Sequence, residues 1–334
     1  MSATGRSQQL KKDIFGAKLL GSKPVLFSES ARPSGLALKL TSIGWSAAGT
    51  AVAASNGAGI RVWNPEKANV KASVELRGHT GAVEKLEWSP AAADVLASTG
   101  ADSTVRVWDV RVGGGAAGLA GKGSAVGEFK MGDQGLYLTW TQDGNQIVAG
   151  RRDDVMMTID VRTMRMDEGR KMGFVMNQMT FSNGGDELFA CASDGSFRAL
   201  DWPTLDHLHT THAHSSACYA IQHSPSGSYL AVGGGDALIS LWDTHDWCCP
   251  RTLASLAGPV KCVSFSFDGN YLCGASDDKD THNKGIDVFH VGSGDVVATL
   301  DTAFPVNQVA WHPSRYWLAY AGDAGGLKIV GTNL

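Results

Sequence analysis

No run of 18 apolar residues occurs in this chain of 334, so nothing in it reads as a membrane-crossing helix. There is no Asn-x-Ser/Thr glycosylation acceptor, no Cys-x-x-Cys pair and no apolar leader near the start. These absences lead us to expect an intracellular, soluble protein with no membrane contact. Its six cysteines are read as buried, reduced thiols, since four fall in runs that look like strands or strand edges. An excess of positive charge is missing too: 29 Lys+Arg against 33 Asp+Glu give a net charge of −4 and a pI near 6.2. The molecule as a whole therefore lacks the electrostatic footprint of a dedicated nucleic-acid binder. Glycine is abundant, with 41 residues, alongside 10 tryptophans and a 43% apolar fraction. That composition suits many short strands separated by glycine turns, an all-β chain.

The stretch from Gly78 to Arg111 organises the rest. Apolar residues alternate at a period of two in Val83 to Trp88, Val95 to Ser98 and Val105 to Trp108, with breaks at Ser89-Pro90 and at Gly100 to Ser103. Three strands and two tight turns fit. A Gly78-His79 opening and a Trp108-Asp109 close about thirty residues later resemble one blade of a WD40 β-propeller. In that family a hydrogen-bonded tetrad fixes each such blade, and the matching residues are His79, Ser98, Asp102 and Trp108. The physical need is satisfaction, because an indole N–H, an imidazole and a hydroxyl inside a sheet must each find a partner. We read the four as architecture, although His79, Ser98 and Asp102 superficially look like a catalytic triad.

Repeats decide between two ordinary domains and one large array. The Trp88 position recurs at Trp45, Trp140, Phe181, His223, Phe265 and Trp311, at intervals of 41 to 52 residues, and the Trp108 position recurs at Trp63, Ile159, Leu200, Trp242, Phe289 and Val330. Two landmarks with one period predict seven blades. Asp102 has counterparts in Asp153, Asp194 and Asp236, but the His79 position survives clearly only as His214, where Val232 replaces the serine, so only blade two should hold the complete tetrad. Two long intervals mark loops. One is the glycine-rich 113–124, between the third and fourth strands of blade two. The other is 279–284, between the second and third strands of blade six, with Lys279, His282 and Lys284 as partner-binding candidates. The chain ends with only three strands available to blade seven, so Pro24 to Phe27 is expected to supply the fourth and latch the ring. Residues 1–22 are expected to be a flexible arm or a docking peptide, with Leu10 to Phe15 its only candidate helical turn, and 23–334 the propeller.

Several motifs have bland explanations. Gly113-x-Gly115-x-x-Gly118 spells a dinucleotide fingerprint, yet Gly121-Lys122-Gly123 breaks the helix such a site needs, and the same run lacks the first glycine and the hydroxyl of a P-loop. No cofactor is expected. His207, His209, His212 and His214 are dense but lack a carboxylate or thiolate at ligand spacing, so they read as an outer strand and no metal is expected. Arg151-Arg152, beside Asp153-Asp154, are candidate partner contacts. Trp202-Pro203 and Trp247 read as packing at blade edges. Trp108-Asp109-Val110-Arg111 fits the Trp-Asp-x-Arg pattern by which some propellers dock onto ubiquitin-ligase adaptors, a pattern common in these repeats for structural reasons.

Beyond the generic repeat, particular runs resemble the WD40 subunit of the THO complex, the core of the TREX transcription-export assembly. They are Gly78-His79 to Ser89-Pro90, Thr104 to Arg111, Asp153-Asp154-Val155, Thr158-Ile159-Asp160, Asp236 to Asp243, Gly258-Pro259-Val260, Ser264 to Gly269, and Val309 to Pro313. The resemblance spans roughly residues 40–330. It implies a nuclear, non-enzymatic scaffold that couples transcription and mRNA processing to mRNA export. The implied partners are the large helical THO subunits and, through the assembly, a DEAD-box RNA-dependent ATPase, with RNA contact indirect. The competing readings are a ubiquitin-ligase substrate receptor or adaptor and a direct RNA-binding propeller.

Overall fold

A computed structural model describes residues 10–27, 40–66, 73–111, 122–123, 125–276, 285–302, 305–321 and 326–332. The described residues form seven sheets whose main strands are antiparallel, arranged as the blades of a β-propeller. Blade two shows the plan: Val83–Trp88 innermost, then Val95–Gly100, Thr104–Asp109 and Ala125–Lys130 at the rim. The first connection in five blades is one recurring turn. An N–H at Gly49, Gly144, Gly185, Gly227 or Gly269 donates to the carbonyl three residues back, at 2.8 to 3.0 Å, and each glycine has positive φ. Glycine adopts that left-handed conformation without a Cβ penalty, which is why the turn recurs with glycine at the same place.

The core is distributed. Each of its seven apolar clusters joins neighbouring blades, such as Ile60, Val62 and Leu76 of blade one with Leu86, Leu96 and Trp108 of blade two. No central hydrophobic mass is needed, which is how a repeat fold grows to this size. The landmark tryptophans tie blades together. Trp88 Nε1 donates to Gly44 O (2.9 Å), Trp140 Nε1 to Glu87 O (3.1 Å) and Trp45 Nε1 to Ala310 O (2.9 Å), the last joining blade one to blade seven. Inner-strand side chains add further ties: Leu86 N–H donates to Ser42 Oγ (3.1 Å) and Phe265 N–H to Gln222 Oε1 (2.8 Å).

Blade seven has Val309–Trp311, Trp317–Tyr320 and Leu327–Gly331, and Val25–Phe27 closes it, pairing antiparallel with Val25 opposite Ile329 and Phe27 opposite Leu327. The expected latch is therefore present. The arm before it is docked over its described residues 10–22. Instead of a flexible segment through residue 22, Lys12–Leu20 is an α-helix with Phe15 and Leu19 fully buried against blades six and seven. Phe15 stacks on Tyr271 at 3.7 Å between ring centroids and meets Tyr316 edge-on at 5.1 Å. Tyr271 donates its hydroxyl to Leu10 O (2.8 Å), and Leu10 N–H donates to the Tyr316 hydroxyl (3.2 Å). Two inward aromatic and aliphatic anchors hold a helix that its own nine residues would leave marginal in water. Most of the loop 113–124 lies outside the described residues, but Lys122–Gly123 runs parallel to Val74–Arg77 and adds a fifth strand to blade one.

Candidate functional site

The hairpins that carry the motif turns bring His79, Ser98, Asp102 and Trp108 together. Asp102 occupies the turn between the second and third strands, ahead of Ser103 at φ 59°. There its carboxylate accepts the Thr80 N–H (3.0 Å) and the Thr104 hydroxyl (2.9 Å) and lies 2.9 Å from His79 Nδ1. His79 Nε2 is 2.7 Å from Ser98 Oγ, and Trp108 Nε1 donates to that same oxygen at 2.8 Å. One proton assignment satisfies every atom: the neutral imidazole donates through Nδ1 to Asp102, and Ser98 donates to Nε2 while accepting from the indole. Burial holds the His79 pKa below its ordinary value despite the attraction of Asp102. Burial pushes the Asp102 carboxyl up, but the Thr80 N–H, His79 and Thr104 together bring it below the usual range. Ser98 is fully buried and occupied by the indole, so this array is a brace rather than a nucleophile with its base.

Blade five carries a second brace that sequence reading missed. His214 Nδ1 lies 2.9 Å from Asp236, Ser240 Oγ lies 3.0 Å from His214 Nε2, and Trp242 Nε1 donates to Ser240 Oγ at 2.9 Å. The hydroxyl comes from the third strand instead of the second. Val232 and Ser240 are directly opposed, just as Ser98 and Arg106 are in blade two, so either member of that cross-strand pair can supply it. The signal was present as Ser240-Leu241-Trp242, two residues before the tryptophan. Blade two is therefore not alone in holding a complete network.

In blades three and four an arginine takes the imidazole's place. Asp153 is gripped by two of the three Arg151 guanidinium nitrogens, Nε at 2.8 Å and Nη2, and Asp194 accepts from Arg198 at 2.7 Å. Arg151 also donates to Met131 O at 2.6 Å, so this candidate contact is engaged inside the propeller, whereas Arg152 beside it is exposed. Lys279, His282 and Lys284 lie outside the described residues. Arg111 is clamped by Asp109 through Nε (3.0 Å) and Nη2 (2.7 Å) on the exposed rim. His207 and His209 share the strand His207–His212, but His209 packs edge-on to Trp247 at 4.9 Å. Among the described residues no group of His, Cys, Asp or Glu is placed to hold a metal.

The axis of the ring opens into a cavity of about 300 Å³ lined by innermost strands of all seven blades. Glu87 faces it with a single hydroxyl partner, Thr139 Oγ1 at 3.3 Å, and burial raises its pKa to about 7 although Lys85 works against the rise. The amide oxygens of Gln178 and Gln222 are taken by the N–H groups of Ile221 and Phe265. The described lining residues contain no nucleophile paired with a base.

Seven sheets, hairpin-borne His–Asp braces and a ring closed by its own N-terminal strand define the WD40 β-propeller class. Three stretches match the WD domain, G-beta repeat family, residues 71–109, 205–243 and 247–282, and the first two end on the Trp-Asp pairs of the braced blades. The β-propeller domain of Cps50 (Swd1) from Myceliophteria thermophila superposes with a TM-score of 0.73 over 88% of this chain and 97% of its own, at 18% identity, a likeness of fold alone. THO complex subunit 3 of Arabidopsis thaliana is 33% identical over 288 residues, 85% of this chain and 87% of its own length. WD repeat-containing protein AAC3 of Dictyostelium discoideum is 32% identical over 311 residues, 85% of this chain and 62% of its own. The chain belongs to the THO complex subunit 3 family of WD40 proteins and is a non-catalytic scaffold.

Proposed function

We propose that this protein is a scaffold subunit of a nuclear THO/TREX assembly, coupling transcription and mRNA processing to mRNA export through protein–protein contacts. The observation that carries the reading is the 33% identity kept over 288 residues with a THO complex subunit 3. The geometry supports a scaffold: the motif residues are spent on bracing the ring, which leaves the rim, the turns and the exposed Arg152 for partners. Its partners are the large helical THO subunits, with a DEAD-box RNA-dependent ATPase joined through the assembly and RNA bound indirectly. Affinity purification of the tagged chain from nuclear extract, read by mass spectrometry, is expected to recover the other THO subunits in near-equal amounts. Recovery of a ubiquitin-ligase adaptor without THO subunits, in a form abolished by Arg111→Ala, would replace this reading. Tight binding of naked RNA that falls steeply with salt would replace it with a direct RNA role.

A further inference from the structure

The docked helix turns a second face to solvent. Phe15 and Leu19 point inward, while Ile14 (48% exposed) and Leu20 (52%) point outward, followed along the chain by the exposed Leu26 (44%) of the latch strand. These are three of the eight large exposed hydrophobic side chains among the described residues, carried by the helix and by the strand that follows it, both of which adjoin Leu327–Gly331. Lys11, Lys18 and Lys23 flank them, all exposed and none paired with an acidic side chain among the described residues, whereas Lys12 is committed to Asp295. Asp13 is the one acidic residue of the helix.

We propose that this face, Ile14, Leu20 and Leu26 within a frame of Lys11, Lys18 and Lys23, docks an acidic amphipathic helix of a partner subunit. The inference deepens the assembly reading above and rests on it. The charge selects the occupant. In a two-fold dimer of this chain the same patch would meet itself, setting lysine against lysine. A helix with leucine-like residues on one side and carboxylates beside them satisfies both parts of the surface. From Ile14 to Leu20 the rise is about 9 Å, so roughly two turns of the partner suffice, extended toward Leu26. Because the helix is itself held by Phe15 on Tyr271, the surface is presented by a fixed element and pays little ordering entropy on binding.

The probe is the recombinant core of the remaining THO subunits of the same organism, with its affinity for the full chain measured by biolayer interferometry. Ile14→Asp with Leu20→Asp, and separately Lys11→Glu with Lys18→Glu and Lys23→Glu, are each expected to weaken binding by about tenfold or more, with melting temperatures unchanged. The exposed residues Val175 and Leu208, on other blades, serve as controls, and Val175→Asp with Leu208→Asp is expected to bind as the parent does. The parent's affinity should fall more steeply with salt than that of the lysine variant. Undiminished binding by both variants overturns the proposal. So does a parental dimer that Ile14→Asp dissolves, or selective loss of binding to phosphatidylserine vesicles with binding to the core kept. If the unaltered chain fails to bind the core, the assembly reading itself fails, and this proposal with it.

Discussion

At the scale of single residues, the proton arrangement around Ser98 makes a sharp demand. Ser98→Ala leaves the Trp108 indole N–H and His79 Nε2 unpaired in a dry site, so a loss of about 1–3 kcal/mol is expected in denaturant unfolding. Ser240→Ala should cost less, because it strips the Trp242 indole N–H while His214 Nε2 keeps the Val232 carbonyl at 3.1 Å. Parental stability in both variants would mean that the braces contribute nothing. Acid sensitivity belongs here too. His312 lies beneath Gly49 O at 3.0 Å, and burial lowers its pKa to about 4. Between pH 6.5 and about 4 the unfolded chain holds a proton on this histidine that the native state does not, so its contribution to stability is present above about pH 6.5 and declines on acidification. Glu87, raised to about 7 by burial, runs the other way, with its contribution present below about pH 4.5 and lost as pH rises through 7. His312→Gln is therefore expected to remove a rise in melting temperature between about pH 4 and 6.5, and Glu87→Gln to remove a fall between about pH 4.5 and 7.

Among the elements, the N-terminal helix offers an informative substitution. Gly16→Ala raises intrinsic helix propensity by about 1 kcal/mol in most settings. Here the new Cβ would sit 2.1 Å from the Val297 carbonyl oxygen, a backbone atom with no room to retreat. The substitution is expected to undock Lys12–Leu20, seen as faster amide hydrogen exchange there, while exchange in the strand Thr104–Asp109 is unchanged. Protection equal to the parent's would show that the helix is held some other way. Phe15→Ala should release the same helix by emptying the aromatic seat between Tyr271 and Tyr316.

For the whole molecule, ring closure rests on Val25–Phe27. Removing residues 1–27 uncovers the edge of Leu327–Gly331, which among the described residues pairs with nothing else on that side. An open, apolar strand edge seeks another chain. Light scattering after size exclusion is expected to show dimers and aggregates, with a melting temperature lower by several degrees. A monomeric truncated chain with parental stability would refute the latch. Closure also gives the tryptophan ties a collective role: Trp45 Nε1 to Ala310 O joins the first blade to the last, and Trp88 and Trp140 carry the ties on to blades two and three.

How much of this was legible in the chain differs from feature to feature. The sequence alone determined the number of blades, the tetrad of blade two and the latch strand, because period-two alternation, landmark spacing and turn residues act locally and leave their pattern in consecutive letters. The brace of blade five escaped because cross-strand partners are interchangeable: Ser240 opposite Val232 does what Ser98 does opposite Arg106, and only pairing reveals the equivalence. The sequence leaves the arm open between mobile and docked because Phe15 and Leu19 make a weak pattern on their own. Only the tertiary structure decided its place, since the aromatic seat that buries them is assembled from Tyr271 and Tyr316, more than 250 residues away in the chain and brought together when the ring closes.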